Sequence, residues 1–202
     1  MCSNVPIRTN ADWKGTKVRS YGCYAMLFEE LGASTVYIPG VDQYEALMLG
    51  TIDMATWAFE AVEDMNWREV MDYLILGTPE TPAWCSEVGA TMVNKDAWET
   101  LPPDLQDLIE LAERRYARES VVWYNDYFRR VIDKADEWGY EVIWMSEADV
   151  EEMRQLTYDK VWPAMAELSP LSAQAIELMK QWYAMDKSPE VCLAHLLELP
   201  GG

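Results

Sequence analysis

Trp13-Lys14-Gly15-Thr16-Lys17-Val18-Arg19 opens the stretch on which the fold of this chain turns. Trp13-Lys14-Gly15 reads as a turn that feeds a short strand over residues 16–19. A helical segment over residues 24–31 follows and stops at Gly32. Thr35-Val36-Tyr37-Ile38 reads as a second strand, and a helix over residues 44–49 stops at Gly50. Asp42, with Glu45 three residues on, has the pattern of a capping box for that helix. The run closes on Thr51-Ile52-Asp53-Met54-Ala55-Thr56-Trp57. This is a βαβα unit, and its strand–helix–strand crossover is expected to be right-handed. It leaves Arg19 at the carboxyl end of a strand, the position outside which open α/β sheets hold ligands.

Outward from this run the signals vary in strength. Residues 1–12 read as an irregular lead-in. Residues 67–76 are expected to be helical, 77–82 to be a loop because of Pro79 and Pro82, 87–93 a strand, and 96–100 a short helix. Pro102-Pro103-Asp104 starts the longest element, a helix expected to reach Trp138 and stop at Gly139. Its apolar residues, among them Leu105, Leu108, Ala112, Tyr116, Trp123, Tyr127 and Val131, recur at helical spacing. A helix of that length exceeds the usual globular range, so it either crosses between two lobes or supports a dimer. Residues 140–145 read as a strand. Ser146 and Asp149 cap a helix reaching about residue 168 that Pro163 kinks or breaks. Helices near residues 172–185 and 189–199 finish the chain.

Totals exclude several classes. The 202 residues suffice for a sizeable core, with 50% hydrophobic and 25% charged residues. The formal net charge of −19, from 35 acidic and 16 basic residues, repels phosphate backbones and argues against nucleic acid. The 10 Trp and 11 Tyr exceed what a core needs, so some are candidates for lining a small-molecule pocket. Cys2, Cys23, Cys85 and Cys192 show no CxxC spacing and support no zinc or iron–sulfur site. The internal ones read as free buried thiols; a Cys23–Cys85 bridge is left open. His195 is the sole histidine and reads as a packing or surface residue. GxSxG, GxGxxG and P-loop patterns are absent. Glu29-Glu30 and Glu151-Glu152 diverge on their helices and read as surface charge. An enzyme is therefore not expected. Neither a membrane-length apolar run nor a basic-then-apolar export signal is written at the start.

Arg19 stands apart. A guanidinium offers a planar fork that matches a carboxylate. An ion pair with one of the many acidic groups fits it equally well. Trp57 and Tyr44 suit either pocket walls or ordinary core packing.

The segment from Trp13 to Arg19 resembles the "leucine/phenylalanine-lysine-glycine-x-lysine-x-arginine" segment of the solute-binding proteins of tripartite ATP-independent periplasmic (TRAP) transporters. Leu31-Gly32-Ala33 with Val36 and Pro39 is similar to that family's "leucine-glycine-alanine … proline" stretch. Tyr44, Ala46-Leu47, Gly50 and Ile52-Asp53 match its next run, and Asn94-Lys95, Trp98, Leu101-Pro102 and Gln106 a later one. The resemblance spans roughly residues 12–168 and is nearest the branch that binds 2-oxo acids and similar small carboxylates. It implies an α/β, periplasmic-binding-protein-like lobe with a long spanning helix and a helical C-terminus, residues 1–202 forming the second lobe and its appendages. Most of the first lobe, with the export signal, would lie outside this chain. The resemblance further implies a periplasmic solute-binding component in which Arg19 receives a small organic carboxylate, Trp57 walls the pocket and Tyr44 fits the motif. The implied partners are the TRAP membrane subunits, with a separate N-terminal lobe or a second copy covering the exposed face. The alternative is a fold remnant serving as an oligomeric interaction protein. Where the branch keeps a cation-holding glutamate, this chain has Thr56, so no cofactor is assigned.

Overall fold

The computed structural model describes residues 1–83 and 91–184. Two compact units divide the chain, Met1–Glu152 and Met153–Gly202. The first is built on a six-stranded sheet in the order β3-β2-β4-β1-β5-β6. Its strands are β1 (Cys2–Ser3), β2 (Lys17–Arg19), β3 (Ser34–Val36), β4 (Met54–Ala55), β5 (Tyr73–Leu76) and β6 (Glu141–Trp144). β2 runs parallel to both β3 and β4, and β5 parallel to β6, while β1 is antiparallel to β4 and β5.

The expected βαβα unit is present. Helix α1 (Gly22–Glu30) links β2 to β3, and α2 (Gln43–Met48) precedes β4. Gly32 follows α1 at φ +90, a left-handed conformation in which a side chain is strained. The turn before β2 is pinned by Trp13, fully buried and stacked 4.7 Å from the buried Phe28 of α1. Asp42 departs from expectation. It already has helical dihedrals at the end of a 3₁₀ turn (Gly40–Asp42), and its side chain makes no cap bond.

The lead-in is not irregular. Cys2 pairs with Ala55 on one side and Leu74 on the other, so two residues join the halves of the sheet. A two-residue strand is too short to show alternation, which is why sequence pattern missed it. Arg8 and Thr9 donate backbone N–H groups to the Asp12 carboxylate at 3.0 and 2.9 Å. Residues 67–76 are likewise corrected. Helix α3 (Glu60–Glu63) and a 3₁₀ turn (Trp67–Glu69) precede β5, whose Leu74, Ile75 and Leu76 are buried. A short continuous apolar run does not distinguish a buried strand from a buried helix. Of the strand expected at 87–93, residues 87–90 lie outside the described residues, and 91–93 carry no regular structure.

Helix α4 (Lys95–Glu99) is capped by Asn94, whose Oδ1 accepts from Ala97 N at 3.0 Å. The long helix is real. α5 (Pro103–Asp133) breaks at Lys134, and α6 (Ala135–Trp138) ends at Gly139, φ +84. Tyr127 and Val131 of α5 sink into a core with Leu47, Ile52, Trp67, Leu74 and Leu76. Towards its N-terminus the same stripe is exposed at Leu105, Leu108, Tyr116 and Trp123. Ser146 caps α7 (Glu147–Leu156) as expected, its hydroxyl accepting from Asp149 N at 3.1 Å.

In the second unit the chain widens into a π turn (Thr157–Val161) before α8 (Trp162–Ala166). Pro163 lacks an N–H and crowds the preceding turn, which is the local cause of that irregularity. Helix α9 (Pro170–Ala184) follows, with Tyr183 5.8 Å from Trp162. The expected last helix, with His195 and Cys192, lies outside the described residues, as does Cys85. Cys23 is free and exposed rather than buried.

The backbone bonds from Arg8 and Thr9 hold the Asp12 carboxyl below its usual pKa. A depressed carboxylate stabilises the fold above its unfolded pKa, and that stabilisation is lost as pH falls through the lower folded value. Asp12 is the exposed third residue of the turn Asn10–Trp13, so Asp12→Ala is expected to lower the melting temperature by no more than about 2–4 °C. Thermal melts at pH 7 and pH 3 check this: the gap between variant and parent should shrink at the lower pH.

Candidate functional site

The parallel register decides what meets Arg19. Its Cα partners are Val36 of β3 and Ala55 of β4, so three strands end together at their carboxyl side. The residues just beyond those ends are Tyr21, Tyr37 and Trp57. Their rings surround the Arg19 guanidinium, with centroids 5.0, 5.6 and 5.7 Å from its central carbon. Tyr21 and Tyr37 meet edge to face at 6.3 Å.

Arg19 is only 3% exposed. Its Nε donates to Ile38 O at 2.9 Å and Nη1 to Thr56 O at 3.4 Å. Nη2 has no acceptor among the described residues, and no carboxylate pairs with the side chain there. The acidic surplus of the chain is thus not spent on Arg19. Cation–π contacts contribute about 0.5–2 kcal/mol each. Taking a cation out of water costs several kcal/mol. Three rings and two carbonyls offset that cost in part, and an anion at the free edge would complete it. The opposing field of the whole chain is screened over about 8 Å at physiological salt, so the local cation governs contact distances.

Trp57 is fixed from two sides. Its ring lies 6.2 Å from that of the buried Trp67. It also covers Gly40 so closely that a Cβ added there would stand 2.8 Å from the indole Cη2. Thr56 is tied to Arg19 as well. Its N–H and Oγ1 donate to Arg19 O at 3.3 and 3.1 Å. The threonine therefore supports the strand end that carries the guanidinium.

Of the three residues singled out from sequence, Arg19 and Trp57 come together. Tyr44 is placed elsewhere: it packs on the core, and its hydroxyl donates to Glu69 at 3.0 Å. That bond to a carboxylate raises the hydroxyl's pKa. No ring contact or hydrogen bond joins Tyr44 to Arg19 or Trp57 among the described residues. Tyr21 and Tyr37 were missed. The usable signal was positional, since each lies within two residues of a parallel strand's end.

Other places offer less to an anion. A recess lined in part by Asp133, Asp136 and Glu141 carries carboxylates and no cation. Tyr127 is pushed up to about 12, chiefly by burial, and donates to Glu60 O at 3.3 Å, a structural role. Among the described residues no group of three or more His, Cys, Asp or Glu could hold a metal, and no helix is long and apolar enough to cross a membrane.

A profile of the bacterial extracellular solute-binding protein family 7 (DctP) matches residues 1–168. A monocarboxylate 2-oxoacid-binding periplasmic protein of Nostoc sp. is 29% identical over 110 residues, which cover 52% of this chain and 29% of that protein. A TRAP periplasmic solute-binding protein from Desulfovibrio salexigens, solved with orotic acid, superposes with a TM-score of 0.77 at 26% identity. One from Rhodoferax ferrireducens, solved with malonate, gives 0.78 at 20% identity. In both cases the match covers 91% of this chain but 58% of the relative.

Gly40→Ala is expected to push the Trp57 ring away from its seat while leaving the core intact. The measurement is the Trp57 indole N–H resonance, which should shift, with the melting temperature changed by no more than about 2–4 °C. An unmoved resonance would show that Gly40 does not set the ring's position.

Proposed function

This chain belongs to family 7 of the bacterial extracellular solute-binding proteins, and we propose that it captures a small organic carboxylate for a TRAP-type transporter. The observation that carries the reading is Arg19: a buried guanidinium at a strand end, held by backbone carbonyls, walled by aromatic rings, and lacking a carboxylate partner among the described residues. Such a group is pre-oriented, so binding need not include the cost of ordering it. The solute's carboxylate meets the guanidinium edge, where a charge-assisted hydrogen bond is roughly twice as strong as a neutral one. Trp57 excludes water from that contact. In this reading the chain acts in the periplasm, beside membrane subunits of the transporter, in a cleft completed by a second lobe. Monocarboxylate 2-oxoacid binding by the Nostoc relative is consistent with the ligand class.

A second reading has one observation in its favour. The exposed apolar stripe of α5, at Leu105, Leu108, Tyr116 and Trp123, suits an oligomer interface or a separate lobe. In that case the chain is an interaction module that holds no solute.

Thermal shift and light scattering separate the two. A carboxylate at about 100 times its Kd stabilises the fold by about 2.7 kcal/mol, several degrees for a chain of this size. Arg19→Ala should abolish that shift, and Arg19→Lys should recover it only in part, because an ammonium lacks the planar fork. A shift that survives Arg19→Ala would sink the assignment of the anchor. A stable dimer that no carboxylate stabilises would install the second reading.

A further inference from the structure

We infer that Thr56 is the positioning residue of the Arg19 guanidinium: its side-chain hydroxyl fixes the backbone whose carbonyl aims Arg19. The inference rests on the reading of Arg19 as carboxylate anchor and adds what keeps that anchor pointed.

The ladder between β2 and β4 ends at Arg19 and Ala55, both buried. One residue further the burial gives way, with Thr56 half-buried and Trp57 40% exposed. A strand end at such a boundary frays unless something beyond the ladder fastens it. The backbone bond there is long, Thr56 N to Arg19 O at 3.3 Å. Thr56 Oγ1 adds a second donor to the same carbonyl at 3.1 Å, which the two lone pairs of that oxygen allow. Threonine is stiff at χ1, so a hydroxyl held on Arg19 O also holds its own backbone. That backbone returns the contact, because Thr56 O accepts from Arg19 Nη1 at 3.4 Å. At this length a small shift of residue 56 breaks the bond. Residue 56 therefore meets Arg19 twice, once at its main chain and once at its guanidinium.

The other acceptor shows how much depends on this. Arg19 Nε donates to Ile38 O, from the segment after β3, on the opposite side of β2 from β4. Carbonyls from both flanking segments thus fix the plane of the guanidinium. With Ile38 O alone the group keeps one bond and turns about it. At 3% exposure, little water is available to replace the lost acceptor. Trp57 is the next residue, its ring 5.7 Å from the guanidinium carbon, so a rotated residue 56 carries that ring with it.

Two substitutions separate positioning from plain support. Thr56→Val keeps the branched shape and removes the hydroxyl, while Thr56→Ser keeps the hydroxyl; Thr56→Ala removes it again should the valine variant fold poorly. The first readout is the Arg19 Nε–H resonance, identified by its loss in Arg19→Lys. It should shift and exchange faster with solvent in Thr56→Val and return to its parent position in Thr56→Ser. The second is titration of the chain with acetate and pyruvate. Thr56→Val should weaken binding about fivefold, the worth of one ordinary hydrogen bond, and Thr56→Ser should recover most of it. An Nε–H resonance unmoved in Thr56→Val, or displaced equally in Thr56→Ser, overturns the positioning role. So does a lowered melting temperature with affinity unchanged, which is the mark of support alone. A parent chain that binds neither acetate nor pyruvate overturns Arg19 as anchor instead, and the Nε–H resonance then decides Thr56 by itself.

Discussion

One constraint organises the first unit: β2 lies in parallel register between β3 and β4, with Arg19 at its last position. Parallel pairing brings three strand ends to the same side, and whatever follows them is collected there. The chain follows them with Tyr21, Tyr37 and Trp57. The guanidinium is then buried without an acidic partner among the described residues, which would be costly for a side chain with no further role. Backbone carbonyls of Ile38 and Thr56 orient it, and ring faces neutralise part of its cost. Small residues serve the same end, since Gly40 leaves the space that the Trp57 indole occupies.

Around that point the sheet is held by short contacts rather than long strands. β1 contributes two residues, yet it pairs on both sides and joins β4 to β5. The segment behind it is fastened at several places: Asp12 accepts from Arg8 and Thr9, and Arg8 reaches Glu141 of β6 at 2.8 Å. The ion pair is half exposed and contributes little by itself. Its value is geometric, because it fastens the lead-in to the far strand. The core residues of α5, Tyr127 and Val131, pack in one buried cluster with Trp67, Leu74 and Leu76. A chain that is strongly acidic overall therefore keeps the Arg19 guanidinium buried at a strand end with no carboxylate partner among the described residues.

Legibility followed the length of each pattern. Helix α5 was plain because an apolar stripe repeated over many turns, and the glycines after α1 and α6 marked where those helices stop. β2, β3 and α2 were visible because turn residues separated them. β5 was mistaken for helix, since four consecutive apolar residues carry no period of their own. β1 was invisible for a stronger reason: two residues cannot announce a strand whose existence depends on β4 and β5 being in place. Asp42 had the right spacing for a cap but the wrong dihedrals, which the preceding 3₁₀ turn imposed. In the site, Arg19 was singled out from its position at a strand end and Trp57 from its place after a turn and from the family resemblance, and the two come together. Tyr21 and Tyr37 were not singled out, because their convergence depends on which strands become neighbours.

The sequence by itself determined the family, the α/β character of the first unit, the long helix, and the presence of an arginine at a strand end. Those are properties of local order and spacing, which survive being read one residue at a time. Only the tertiary structure decided that the arginine is buried, that carbonyls rather than carboxylates hold it, and that three rings from separate segments face it. It also moved Tyr44 out of that group, onto the core and Glu69. The physical reason is register: which residues share a strand end is fixed by hydrogen bonding between segments far apart in the chain, and no local pattern encodes it.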